Sequence, residues 1–305
     1  MRIFSLLPAA TEICFELGLG DDVVGVSPEC DFPPGARGKP IVSRHLLDHT
    51  GKSSLMTSRA VGERLAAGEA LYLLDEEALR RAAPDLILTQ GLCDVCAPSL
   101  GGVRDVAERL PEPPEILSLD PHTLGDVFGD ILRVGEACRV KGRANACRKE
   151  LEARVDEVAK TASGIAAPPR VLCLEWLDPL FVAGQWVPEM VDLAGGEDVL
   201  GRASEPSRRV TRKDVVMAAP EVAVLMPCGF HMGRTLKETR GIASSPFWRD
   251  LPATRRDRVW VVDGSSYFSR PGPRLVDGLE TLAHILHPRL FPNAPSPRDA
   301  QRWAG

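Results

Sequence analysis

Two stretches far apart in the chain repeat one pattern, and that repeat constrains the fold more than any single motif. Residues 75–93, DEEALRRAAPDLILTQGLC, and residues 211–228, TRKDVVMAAPEVAVLMPC, each pass from a short helical pattern through Ala-Ala-Pro into an apolar run and end on a cysteine. The apolar runs are short and bounded by turn residues, which suits strands buried on both faces. A chain carrying two such halves reads as two related α/β lobes.

The rest of the sequence follows that rhythm. Residues 1–122 alternate strand-like runs (IFSLL, VVGVS, ALYLL, DLILTQ, EILSLD) with helical patterns, as in a parallel sheet built from βα units. From Leu124 to Ser163 the pattern is helical and free of proline. As one helix it makes a rod of about 60 Å at 1.5 Å per residue, a connector rather than a lobe element. Ala-Ala-Pro-Pro at 166–169 ends it, and the βα rhythm resumes with RVLCLEW, LFVAG, EVAVLMP and RVWVVDG. The expected organisation is an α/β lobe over 1–122, a linking helix over 123–165, a second α/β lobe over 166–290, and a loosely attached Pro-rich tail over 291–305, with a ligand cleft between the lobes.

With 37 basic and 42 acidic side chains the net charge is −5, which offers no electrostatic footprint for nucleic acid. No run approaches the roughly 18 apolar residues that span a bilayer, so membrane insertion is not expected. The start, MRIFSLLPAATEICFELGLGDD, lacks the basic, apolar and small-residue segments of an export signal. Read with Met1 as the first residue, the chain is expected in the cytoplasm, and in the periplasm only if the true start lies upstream.

The candidate chemistry sits at strand ends, where open parallel sheets bind ligands. Cys93 and Cys96 form a C-x-x-C after DLILTQ, Cys228 and His231 form a C-x-x-H after EVAVLMP, and Cys30 follows VVGVS between Glu29 and Asp31. Thiolates and imidazoles at these spacings suit zinc or an iron–sulfur cluster, and equally a ligand lining or plain core packing. His45 follows the strand-like PIVS, Gln90 and Gly91 end another such run, and Trp176, Trp186 and Tyr267 follow or flank strand ends of the second lobe, where the aromatic rings could stack on a flat ligand. Cys14, Cys138, Cys147 and Cys173 read as packing residues. There is no G-x-S-x-G, P-loop or H-E-x-x-H motif, so a binding role is expected rather than an enzyme, with a thiol redox enzyme as the lesser alternative.

These residues resemble a known family. SLLPAATEICFELGLGDDVVGVSPECDFPP, AAPDLILTQG, PLFVAG with VDLAGGEDVL, AAPEVAVL and YFSRPGPRLVDGLE together are similar to the helical-backbone, class III substrate-binding proteins of ABC importers for vitamin B12 and iron siderophores, most nearly to the vitamin B12-binding branch. The resemblance implies two lobes on one rigid helix, a corrinoid or other metal chelate as ligand, and an ABC transporter as partner. Where that branch places aromatic side chains on the corrin, the matching positions here are Glu29, His45, Gln90 and Ser207, and an acidic position becomes Ser266. The family presents one docking glutamate per lobe; Glu77 matches, but Lys213 stands at the second place beside Asp214. A cysteine-ligated zinc or iron–sulfur protein on the same fold is the alternative expectation.

Overall fold

The two Ala-Ala-Pro repeats fold alike, down to a backbone feature that composition does not announce. Each begins at a side chain that caps a seven-residue helix: Asp75 accepts from the Ala78 N–H, and Thr211 forms a reciprocal capping box with Asp214. Each helix, Glu76–Ala82 and Arg212–Ala218, ends on an alanine in the left-handed region, Ala83 at φ 41° and Ala219 at φ 44°. Proline then blocks continuation, and a fully buried four-residue strand follows.

Left-handed alanine carries steric strain that glycine escapes, about 1–2 kcal/mol, while glycine costs about 0.5–1 kcal/mol of unfolded-chain entropy. Replacing both, Ala83→Gly and Ala219→Gly, is therefore expected to raise stability by about 1 kcal/mol and Tm by about 2–4 °C. Calorimetric melts check this, and a lowered Tm would contradict it.

The computed structural model describes residues 1–47, 51–92, 95, 97–243 and 245–303. It divides into a first unit of residues 1–52, 56–121 and 125–149, and a second of residues 53–55, 122–124 and 150–305.

Among the described residues the first unit holds six strands, β1 (Ile3–Ser5), β2 (Val23–Val26), β3 (Ser43–His45), β4 (Tyr72–Leu74), β5 (Leu86–Thr89) and β6 (Glu115–Ser118). Four form a parallel sheet in the order β2-β1-β5-β6, and β3 pairs antiparallel with β4 in a separate ribbon. Phe4, Leu6, Leu79, Ile87 and Val103 pack beneath the sheet as its core. The chain runs from β1 to β2 on one side and later returns to β5 on the other, so the order reverses between β1 and β5.

The second unit holds β7 (Arg170–Leu177), β8 (Leu180–Val182), β9 (Glu197–Asp198), β10 (Arg208–Arg209), β11 (Val222–Leu225), β12 (Val259–Val262) and β13 (Ala300–Arg302). The sheet order is β10-β8-β7-β11-β12-β13, with β9 also paired to β7; β7, β11 and β12 are parallel. Its core gathers Leu172, Leu174, Leu225, Val261 and the buried Trp248. Here the order reverses between β7 and β11.

Two expectations are corrected. The helical stretch is not one rod: it forms Leu124–Ala137 and Lys141–Ala162, broken at Arg139 with φ 57°. The second helix, 22 residues long, runs from the first unit, which ends at Lys149, into the second, which resumes at Glu150. The cause is a close crossing, since a Cβ on Gly135 would lie 2.2 Å from the Ala144 Cβ. The tail is not loose either. β13 adds antiparallel to β12, and Trp303 packs against the core, its backbone N–H donating to the Val259 carbonyl at 2.8 Å. No helix among the described residues is long and apolar enough to cross a membrane.

Asp130, on the helix Leu124–Ala137, is almost fully buried, and burial pushes its carboxyl up to about 6 against the opposing pull of Arg133, 2.8 Å away. A raised folded-state value means the cost is absent below the unfolded value near 3.8, grows as pH rises, and is complete above about 6. Asp130→Asn should thus match the parent near pH 4 and exceed it at pH 7.5 by about 1–2 kcal/mol. Chemical denaturation at both pH values checks this; an equal difference at both would contradict it.

Candidate functional site

In the first unit, the carboxyl ends of the parallel strands lead into Leu6, Ser27, Gln90 and Leu119, each sequence-adjacent to a ladder residue. Leu6 donates to the Leu88 carbonyl at 2.9 Å and Ser27 to that of Ser5 at 3.1 Å, so these ends stay in register beyond the strands. Glu29 and His45 meet here as an ion pair through the imidazole Nε2. Burial pushes the Glu29 carboxyl up, but the hydrogen bond and charge of His45, with backbone and Ser27 bonds, outweigh it and hold the carboxyl below the usual range. His45 lies opposite Tyr72 in the β3–β4 ribbon, ring centroids 4.2 Å apart. Gln90 is buried, and the Gly91 N–H donates to Asp120, whose other oxygen takes the Ser118 hydroxyl at 2.6 Å.

Cys30 departs from its expected role as a metal ligand. Its thiol is buried, taking the Thr11 hydroxyl at 3.0 Å with Ser27 Oγ at 3.2 Å. Burial pushes its pKa up against those bonds, so it is held as a thiol rather than offered as a thiolate. Cys93 and Cys96 lie outside the described residues. Among the described residues no three His, Cys, Asp or Glu side chains come together as a metal cage.

In the second unit the strand ends bring together residues from three parallel strands. Trp176, near the end of β7, is half-buried and rests against the buried Phe230 beyond β11, centroids 5.0 Å apart. The Arg234 guanidinium covers the Phe230 ring at 3.7 Å. The Cys228 N–H donates to the Glu175 carbonyl at 2.9 Å, and the thiol is partly exposed. His231, its side chain 52% exposed, holds Nδ1 3.0 Å from Asp263, at the end of β12. Asp263 is itself fixed by accepting the Ser266 N–H at 2.8 Å as the cap of the helix Gly264–Tyr267. Nearby, the buried Arg270 donates to Ser265 Oγ at 3.2 Å.

The remaining expected residues have other surroundings. Trp186 is buried and donates its indole N–H to the Phe268 carbonyl at 2.9 Å, so no stacking face is offered there. Tyr267 spends its hydroxyl on Asp299 at 3.0 Å, and burial with that carboxylate raises its pKa. Ser266 serves the Asp263 cap through its backbone, and Ser207 is half-buried. Glu77 is exposed and paired with Arg81 at 2.7 Å; Lys213 is exposed, and Asp214 beside it is committed to the Thr211 cap. Phe230, Arg234 and Asp263 were missed in the sequence. The signal for Asp263 is its place directly after VWVV, the same strand-end rule that singles out Cys228.

A model described as periplasmic binding protein matches residues 3–265. The vitamin B12-binding protein of Vibrio cholerae is 23% identical over 291 residues, covering 93% of this chain and 88% of its own. An uncharacterized ABC transporter substrate-binding lipoprotein of Bacillus subtilis is 21% identical over 299 residues, covering 95% and 81%. Among solved structures, a periplasmic heme binding protein from Pseudomonas aeruginosa superposes with a TM-score of 0.72 at 18% identity, covering 99% of each chain.

Proposed function

The chain belongs to the periplasmic binding protein family, and on that premise we propose that it is a receptor for a flat metal chelate of the tetrapyrrole class, a corrinoid or a heme, which it carries to an ABC transporter. It is a binding protein, not an enzyme. The observation that carries the ligand class is the half-buried Trp176 indole backed by Phe230 at the reversal between β7 and β11. In an open α/β sheet that reversal is where ligands bind, and a supported indole face is what a planar ring stacks on. Relatives named for vitamin B12 and heme support the class without choosing within it.

The test is a titration of the purified protein with cobalamin, cobinamide and hemin, followed by calorimetry and absorbance. One of them is expected to bind at one per chain with micromolar or tighter affinity. Silence with all three into the high micromolar range would overturn the proposal.

The transporter partner carries a charge condition. A partner presenting arginines to both units would find a counter-charge at Glu77 and a like charge at Lys213, which disfavours it. The matching partner presents an acidic group to Lys213.

A further inference from the structure

The Trp176 indole is held at its edge as well as at its face. Its N–H donates to the Asp178 carbonyl at 3.1 Å and to the Ser54 carbonyl at 3.3 Å. An N–H shared between two acceptors resists tilting of the ring, because a tilt lengthens one bond or the other. Asp178 lies only two residues on. Ser54 comes from 122 residues earlier in the chain, and residues 53–55 are part of the second unit.

Ser54 opens the helix Ser54–Ala66 and is the buried residue of that helix among those described. Leu55 and Met56 beside it are exposed, so burial of these apolar side chains does not seat it. A carboxylate seats it instead. The Ser54 N–H and hydroxyl both donate to one oxygen of Glu238, Oε2, at 3.0 and 2.6 Å. Charge-assisted bonds of this kind are about twice as strong as neutral ones, and the N–H is one that a helix start leaves without a partner inside the helix. Glu238 lies on the helix Met232–Ala243, one turn after Arg234, whose guanidinium covers the Phe230 ring. The edge of the indole and the ring behind its face are thus both tied to that one helix.

We propose that Glu238 is a positioning residue for ligand binding: by clamping Ser54 it sets the plane of the Trp176 indole on which the chelate stacks. This rests on the reading of Trp176 as the stacking face, and it adds that affinity depends on Glu238 through a chain of hydrogen bonds.

The test is a double-mutant cycle read as affinity for whichever of cobalamin, cobinamide and hemin binds the wild type. Glu238→Ala is expected to weaken binding about fivefold, the net worth of one hydrogen bond. Glu238→Gln should bind within about twofold of wild type, since both Ser54 bonds go to one oxygen and a carboxamide supplies one. In Trp176→Phe, which has no indole N–H, adding Glu238→Ala should change affinity less than about twofold, because residues acting through one contact are not additive. Should Glu238→Ala melt below the assay temperature, Ser54→Ala takes its place; it loses the shorter of the two bonds, and a loss of about twofold to threefold is expected. If the alanine variants bind like wild type, if Glu238→Gln loses as much as Glu238→Ala, or if the fivefold loss persists in Trp176→Phe, the positioning role is overturned and the receptor reading survives. If none of the three ligands binds the wild type, both fall together.

Discussion

Gly264→Ala is expected to lower the stability of the second unit by about 3 kcal/mol and to abolish ligand binding with it. Gly264 opens the short helix after β12, and a Cβ there would lie 2.6 Å from the backbone carbon and oxygen of Met226 and from the Pro227 oxygen. These are main-chain atoms at the end of a fully buried strand, so no side chain can swing aside to relieve the clash. The loops after β11 and β12 would have to separate. That separation breaks the bond from the Ser265 N–H to the Phe230 carbonyl and draws Asp263 away from His231. Denaturant unfolding and a ligand titration on the same preparation check both halves. A variant of parental stability would show that the close approach of the two loops is not what builds the site.

The second large effect falls on the ligand alone. Trp176→Ala removes the indole face but leaves Phe230 buried in place, and the lost stacking is worth about 1–3 kcal/mol by analogy with base–aromatic stacking. Affinity for the chelate should fall up to about 100-fold. The fold should hold, because Trp176 is only half-buried and Phe230 also packs under Arg234. Trp176→Phe should restore most of the affinity, since it keeps a face and loses only the indole N–H bonds to the Asp178 and Ser54 carbonyls. An affinity unchanged in the alanine variant would contradict the ligand placement.

The fold was legible where local chemistry and tertiary structure agree. The Ala-Ala-Pro repeats show both cores because a proline ends each helix and an apolar run must then be buried, and the structure adds matching left-handed alanines. The break at Arg139 was not legible, because nothing at 138–140 disfavours a helix. It follows from the crossing of Gly135 over Ala144, a contact between residues that only the fold brings together. The strand at Ala300–Arg302 was hidden by the prolines before it, and it exists because the free edge of β12 accepts a partner.

The site was legible in part. Strand-end reasoning put Glu29, His45, Gln90, Cys228, His231 and Trp176 near strand ends, and the structure has them near the ends of β2, β5, β7 and β11 or in the β3–β4 ribbon. It misjudged Cys30 and Trp186, because a residue just past a strand end can turn inward as easily as outward. Cys30 turns toward the Thr11 and Ser27 hydroxyls, and Trp186 turns toward the Phe268 carbonyl. It missed Asp263, whose place directly after VWVV was visible but whose pairing with His231 across 32 residues no spacing in the sequence encodes.

The most direct test of the central claim is a crystal structure of the protein with bound cobinamide or hemin, with the metal located by anomalous scattering. The account predicts the ring of the chelate against Trp176, at the ends of β7 and β11. A metal bound far from the ends of β7, β11 and β12 would contradict it.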